Sequence, residues 1–335
     1  MMEVPVSDIA EIDAQAPGRD LAAAAESLRT DGVVILRQAV APALLGSLQA
    51  MVSDWHDRFL AGDTENYSLG EETATVIPDI WQDAFTEPRE LQGFRKWNVA
   101  GLDPRLIPLV DADPLYDVVH GFMGPDLMVT KTQMIVLPPD CLDSPFLHTD
   151  AGGMADIVES TEASPLMVSA QVFLTDLPEP GMGNFTCVPG SHLRRYPWSA
   201  DNPRRSQIDG PLGQDIPMDI RRQVLARAGD VAVFIHSLWH GVTNNTSSHP
   251  RRSVILSYAK SFVRPYDYES TPATVLEHGT PRQRLLFGDL GGWAWRPGCF
   301  YHLPADYMDT LEPGAKPPNG DAATSTAGTT EAGGR

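Results

Sequence analysis

Cysteine is scarce in this chain: Cys141, Cys187 and Cys299 are widely spaced and form no CxxC pair. An odd, scattered set makes neither a disulfide framework nor a thiolate zinc site, and it suits a reducing cytoplasm. Positive charge is short as well, with 25 Lys and Arg against 44 Asp and Glu, a net charge of −19. Nucleic-acid binders and proteins of anionic membrane surfaces need clustered cations, so neither partner is expected. No stretch reaches the roughly 18 uncharged apolar residues that cross a bilayer. The opening MMEVPVSDIAEIDAQ has no basic start and no apolar run, so no secretory signal is expected. Repeats of solenoid length are absent too.

What is present suits a globular protein: 335 residues, 42% hydrophobic and 21% charged, enough for one substantial core. Residues 1–19 read as an N-terminal extension. Residues 313–335, rich in Gly, Ala, Thr and Pro, read as a disordered tail. Between them a single domain, residues 20–312, is expected, helical to about 125, β from about 126 to 265, and closed by a C-terminal capping segment, 266–312. DLAAAAESLRTDG predicts a helix ended by Gly32, VVILR a buried strand, and APALLGSLQAMVSDWHDRF a second helix. LMVTKTQMIVL, LMVSAQVFLTDL, NFTCVPG, VAVFI and RRSVILSYAKSFV are β-branched or aromatic runs separated by turn residues. Helices followed by such strands predict a mainly β fold, a sandwich or jelly roll with helices on one outer face.

Within the strand region, PFLHTDAGG places His148 and Asp150 two apart, hence on one face of an extended chain. HSLWHGVTNN supplies a third candidate ligand, His240. Two His and one carboxylate on one face of a cation leave its other positions open, as non-haem Fe(II) oxygenases require for co-substrate and oxygen. A zinc site would more often show cysteines or three histidines. His236 shares the face of His240 in an unbroken strand and stands as an alternative ligand or pocket residue. Eleven residues past His240, Arg251 opens the next strand, where a buried guanidinium would bind a carboxylate through two parallel hydrogen bonds. Ser253 shares its face, whereas Arg252 points the other way, so Arg251 is preferred.

These segments carry a resemblance. LPPD, HTD, GNFTCVPGSH, AGDVAVF and LWHGVTNNTSSHPRRSVILSY resemble the phytanoyl-CoA dioxygenase family from about residue 20 to 265. The resemblance implies a double-stranded β-helix core (a jelly roll, cupin-like), with Fe(II) as cofactor and 2-oxoglutarate and O2 as co-substrates. It implies His148, Asp150 and His240 as iron ligands and Arg251 at the distal carboxylate, where Ser253, on the same strand face, could donate a further hydrogen bond. Gln171, Gln133, Thr149 and Thr243 are further co-substrate candidates. Many members carry a small hydroxyl residue two after the distal His, where this chain has Val242, with Thr243 next to it. PGSH reads as a structural turn.

The reaction so implied couples decarboxylation of 2-oxoglutarate to succinate with oxidation of a substrate C–H. Retention of Asp150 favours hydroxylation, with desaturation, epoxidation or cyclisation as alternatives on the same scaffold. A protein hydroxylase and a metal-binding jelly roll without turnover are readings of another class. A small-molecule substrate is expected, in specialised metabolism, with Phe146, Trp239, His236, Trp97, Arg95 and Trp293 as candidate pocket residues, and Trp81 and Trp295 behind them. The acidic chain offers no basic cradle for coenzyme A phosphates. Monomer and homodimer are both left open.

Overall fold

Asp20 opens the first helix, α1 (Leu21–Thr30), by accepting a hydrogen bond from Ala23 N at 2.9 Å, which satisfies an amide that a helix start leaves bare. This is seen in a computed structural model that describes residues 8–16, 20–62, 93–140, 146–150, 165–194, 208, 215–290 and 309–314. Gly32, at φ +77°, ends the helical course and feeds the strand that follows. Helix α2 (Pro42–Leu60) starts with proline in its first turn, where no amide partner is lost, and buries Leu48, Met51, Val52, Trp55 and Phe59 on one face. Helices α3 (Val99–Leu102), α4 (Leu115–Met123), α5 (Ala273–His278) and α6 (Pro281–Leu286) complete the helical layer.

The strands are β1 (Glu11–Asp13), β2 (Val33–Arg37), β3 (Phe94–Trp97), β4 (Leu127–Leu137), β5 (Met167–Phe173), β6 (Phe185–Cys187), β7 (Arg222–Gln223), β8 (Val231–Ile235), β9 (His240–Val242) and β10 (Arg251–Lys260). They form a seven-stranded sheet, β1-β2-β8-β5-β10-β4-β3, and a three-stranded sheet, β7-β6-β9. Only β1 and β2 run parallel; every other pairing is antiparallel. The expected mainly β fold with flanking helices is what the chain adopts.

Alternation along the strands divides the large sheet into two chemistries. Outward, Val34, Leu36, Val168, Ala170, Val172, Val231, Val233, Val254, Leu256 and Tyr258 join α1, α2 and α4 in the main core. Inward, at the end holding β2 and β8, Val33, Ile35, Phe173, Ala232 and Phe234 pack on Phe185 and Cys187 of the small sheet. Elsewhere the inner face mixes polar side chains, among them Lys131, Ser169, Gln171, Ser253 and Ser257, with the apolar Ile135, Leu137 and Ile255.

The boundaries differ from expectation in two places. The run 166–177 is extended only to Phe173, because Leu177 leaves the sheet to bridge Ala226. His236 and His240 do not lie on one unbroken strand: a turn, with Leu238 N donating to Ile235 O at 3.0 Å, carries the chain from β8 to β9 in the other sheet. PGSH is a structural turn. Gly190 N donates to Asp31 O (2.8 Å), a ring nitrogen of His192 lies 3.1 Å from Arg29 O, and Ser191 Oγ accepts from Trp239 N (2.8 Å). It thereby locks the end of α1 to the turn before His240.

The joint leaves no room at Gly32, where an added Cβ would lie 2.4 Å from His192 Nδ1. Gly32→Ala is expected to cost about 2–4 kcal/mol, from left-handed backbone strain and displacement of His192. A urea unfolding midpoint unchanged from wild type would contradict this joint.

Candidate metal centre

His148 and His240 form one antiparallel backbone pair: His148 N donates to His240 O at 2.7 Å, and His240 N donates to His148 O at 2.9 Å. This adds the segment around His148 to the free edge of β9. Gly241 permits the approach, since a Cβ there would lie 2.7 Å from Phe146 O. Asp150 N donates to His236 O at 2.9 Å, so the carboxylate residue is fixed by the same turn.

The side chains converge. His148, Asp150 and His240 each present a ligand atom within 4.8 Å of the others, and they are the one such His/Cys/Asp/Glu group found among the described residues. The two imidazole rings lie 4.4 Å apart, and His240 also packs against Phe234 at 4.5 Å and Phe185 at 5.8 Å. A ring nitrogen, Nδ1, of His240 faces Leu238 O at 2.9 Å; in the tautomer protonated there it donates to that carbonyl and leaves Nε2 free to ligate. Burial, and then the proximity of His148, push the His240 imidazole down to about 3, so it is neutral and ligand-ready at neutral pH. His240 and Asp150, 3.9 Å apart, are therefore not an ion pair in that range. Burial also lowers His148.

Asp150 is half-buried yet held well below the ordinary carboxylate range: desolvation works against ionisation, and the charge of Lys131, the two histidines and a Ser169 hydrogen bond outweigh it. Ser169 Oγ donates to Asp150 Oδ2 at 2.9 Å, and Lys131 Nζ stands 3.3 Å from the same oxygen. Ser257 Oγ lies 2.9 Å from Ser169 Oγ, which extends the chain of hydroxyls across the sheet. This carboxylate-and-imidazole donor set fits a divalent transition metal.

Strand register places the rest. Phe234, Ser169, Ser257 and Lys131 form one row across the inner face. Ala232, Gln171, Ile255, Gln133 and Trp97 form the next. Phe173, Ser253, Ile135 and Arg95 follow, and then Arg251 opposite Leu137. Arg251 is 1% exposed, and Gly183 packs on its stem with a would-be Cβ 3.5 Å from Arg251 Cβ. Ser253 Oγ and Gln171 Nε2 are buried with no hydrogen-bond partner among the described residues. Two buried donors without partners on one wall with an enclosed guanidinium suit a ligand that accepts hydrogen bonds, such as a carboxylate, because leaving them unmet costs about 1–3 kcal/mol each.

Other candidates fall elsewhere. Arg252 points to the outer face, as alternation requires. Val242 faces inward against Ile135, Leu137 and Ile255. Thr243 is engaged with β6, its Oγ1 accepting from Asn184 N at 2.9 Å. Thr149 is buried, with its hydroxyl unpartnered among the described residues. Ring nitrogen Nδ1 of His236 lies 2.8 Å from Met167 O, and His236 is not in the metal group. Trp239 belongs to a separate apolar cluster with Leu147, Val188, Ile208 and Ile216. Phe146 contributes its carbonyl, 3.4 Å from His148 Nδ1. Trp81, Trp293 and Trp295 lie outside the described residues.

Lys131, Ser169 and Ser257 are the residues that sequence reasoning missed. Their signal was available: each shares the inward parity of Gln133, Gln171 or Ser253, and a lysine inside a wholly buried strand calls for a charged partner.

Beyond β10 the chain returns to β4. Tyr266 N donates to Thr130 O at 2.7 Å, and Asp267 Oδ2 accepts from Asn98 N and Thr132 N at 2.8 Å each. Burial raises the Asp267 carboxyl to about 6 in spite of those hydrogen bonds.

The sequence matches the phytanoyl-CoA dioxygenase (PhyH) family over residues 28–253. It is 26% identical over 270 residues to Dioxygenase trt7 of Aspergillus terreus, covering 79% of this chain and 82% of that protein. It is 25% identical over 185 residues to Ectoine dioxygenase of Nocardia farcinica, covering 51% of this chain and 61% of that one. In fold it resembles the non-haem α-ketoglutarate-dependent carbocyclase SnoK from nogalamycin biosynthesis, with TM-score 0.52, 21% identity, and coverage of 72% of this chain and 86% of that one. It also resembles HygX of Streptomyces hygroscopicus, solved with nickel and 2-oxoglutarate, with TM-score 0.50, 18% identity, and coverage of 71% and 87%.

Asp267 yields a pH test. The folded chain binds its proton more tightly than the unfolded chain, whose carboxyl titrates near 3.8, so the contribution of Asp267 to stability is greatest below that value and is lost as pH rises through about 6. Asp267→Asn keeps the acceptor without the charge and should remove about 3 kcal/mol of that pH-dependent loss. Identical stability–pH curves for the two proteins would contradict it.

Proposed function

The chain belongs to the phytanoyl-CoA dioxygenase family and is a non-haem iron dioxygenase, and from that premise we propose that it hydroxylates an unactivated C–H of a small molecule at the expense of 2-oxoglutarate and O2. Succinate and CO2 are the co-products. The observation that carries this reading is one inner wall with a convergent His148–Asp150–His240 set at one end and Ser253, Gln171 and Arg251 beyond it. Bound Fe(II) would let O2 act as the oxidant, with 2-oxoglutarate supplying two of the four electrons that O2 takes up and the substrate C–H the other two.

The protein's own residues bind, orient and shield. The Leu238 carbonyl fixes the His240 ring through Nδ1, which leaves Nε2 free and would let it hold the cation. Ser169 and Lys131 engage one oxygen of Asp150, which orients the other toward the two imidazoles. Arg251 would clamp the far carboxylate of the co-substrate, with Ser253 and Gln171 as further donors. Phe234, Ile255 and Val242 make that stretch of wall apolar and keep water from the reacting groups. Because Asp150 fills the carboxylate position, a halide has no vacated ligand site there, which favours hydroxylation. Residues 20–312 serve as one catalytic domain in this reading, with a small molecule as substrate.

Purified protein given Fe(II), ascorbate and 2-oxoglutarate should release succinate slowly, and faster with a true substrate, whose product gains one oxygen atom. Arg251→Ala should raise the KM for 2-oxoglutarate about 100-fold, as loss of a buried charge pair does, and Ser253→Ala about 5- to 10-fold. Absence of succinate from wild type, or an unchanged KM in Arg251→Ala, would contradict the assignment.

A further inference from the structure

An aromatic surface begins beside the metal centre. Strand β3 turns Trp97 and Arg95 onto the inner face, in register with Gln133 and Ile135. The Trp97 ring meets the Tyr266 ring at 5.1 Å between centroids, tilted by 45°. Lys131 Nζ lies 5.9 Å from the Trp97 ring, and that same ammonium is the one 3.3 Å from Asp150 Oδ2. Trp97 is thus separated from the ligand carboxylate by a single side chain.

Tyr266 is firmly held for a residue so open. Its amide is bonded to Thr130 O, and the next residue, Asp267, ties the backbone of Asn98 beside Trp97 to that of Thr132. Even so, 52% of its surface stays exposed. A core role would have buried the ring, whereas a rigid backbone with an open aromatic face suits ligand contact at low entropic cost.

We propose that Trp97 and Tyr266 form the substrate-facing wall of this site, and that it selects a small molecule bearing a flat conjugated ring. The inference rests on the oxygenase reading of the same site. Flat rings gain offset or edge-on contact with both side chains, which a puckered ring of equal size cannot match.

Equilibrium dialysis of the full chain with Fe(II) and 2-oxoglutarate under argon tests it. The probe is 2-naphthoate, set against decahydro-2-naphthoate (same skeleton and charge, puckered). Wild type should bind 2-naphthoate at least ten-fold more tightly than the puckered acid. Tyr266→Phe should keep that preference, and Tyr266→Leu and Tyr266→Ala should lose it. Equal binding of the two compounds, or full retention of the preference in Tyr266→Leu, overturns the wall. Retention of 2-oxoglutarate is read in the same cells. Wild type that retains it but does not discriminate rejects the wall alone, and wild type that does not retain it rejects the oxygenase reading.

Discussion

Two backbone hydrogen bonds between His148 and His240 hold the site together, because they join segments about ninety residues apart in the chain and set both imidazoles on one side of the small sheet. Each contributes only about 1 kcal/mol, so the pair depends on what surrounds it. Gly241 lets the two backbones meet, Phe185 and Phe234 back the His240 ring, and the PGSH turn fixes the loop that enters β9. Asp150 follows from the same constraint, since its amide is bonded to the turn at His236.

The large sheet separates stability from chemistry by strand parity. On β10, Val254, Leu256 and Tyr258 face the helices, while Arg251, Ser253 and Ser257 face the site. Burying Lys131, Asp150 and Arg251 is unfavourable unless each charge meets another. Lys131 and Asp150 offset one another directly, and a dianionic co-substrate would complete the balance at Arg251. Apolar packing on the outer face stabilises this polar wall, as the core of Val, Leu and Met against α1, α2 and α4 shows.

Much of this was legible in the amino-acid sequence, for reasons that differ by residue. β4 and β8 lie where their β-branched runs predict them, and Arg251 was separable from Arg252 by parity alone. His148, Asp150 and His240 were readable through spacing and through resemblance to a family. The turn that places His236 and His240 in different sheets was not readable, because VAVFIHSLWHGV contains no Pro or Gly before Gly241 to mark it. Thr243 and Trp239 looked like site residues but serve β6 and an apolar cluster, since side-chain direction past a turn cannot be counted along the chain. Tyr266 was missed because its contact with Trp97 joins residues 169 positions apart.

The central claim is that His148, Asp150 and His240 hold the metal to which 2-oxoglutarate binds. Anaerobic titration of Fe(II)-loaded protein with 2-oxoglutarate, followed by the visible charge-transfer absorption of the Fe(II)–2-oxoglutarate chelate, addresses it most directly. The account predicts a saturable band in wild type that is abolished in His240→Ala and in Asp150→Ala while both variants keep the wild-type far-UV circular dichroism. A band of full intensity in either folded variant, or none in wild type, would contradict it.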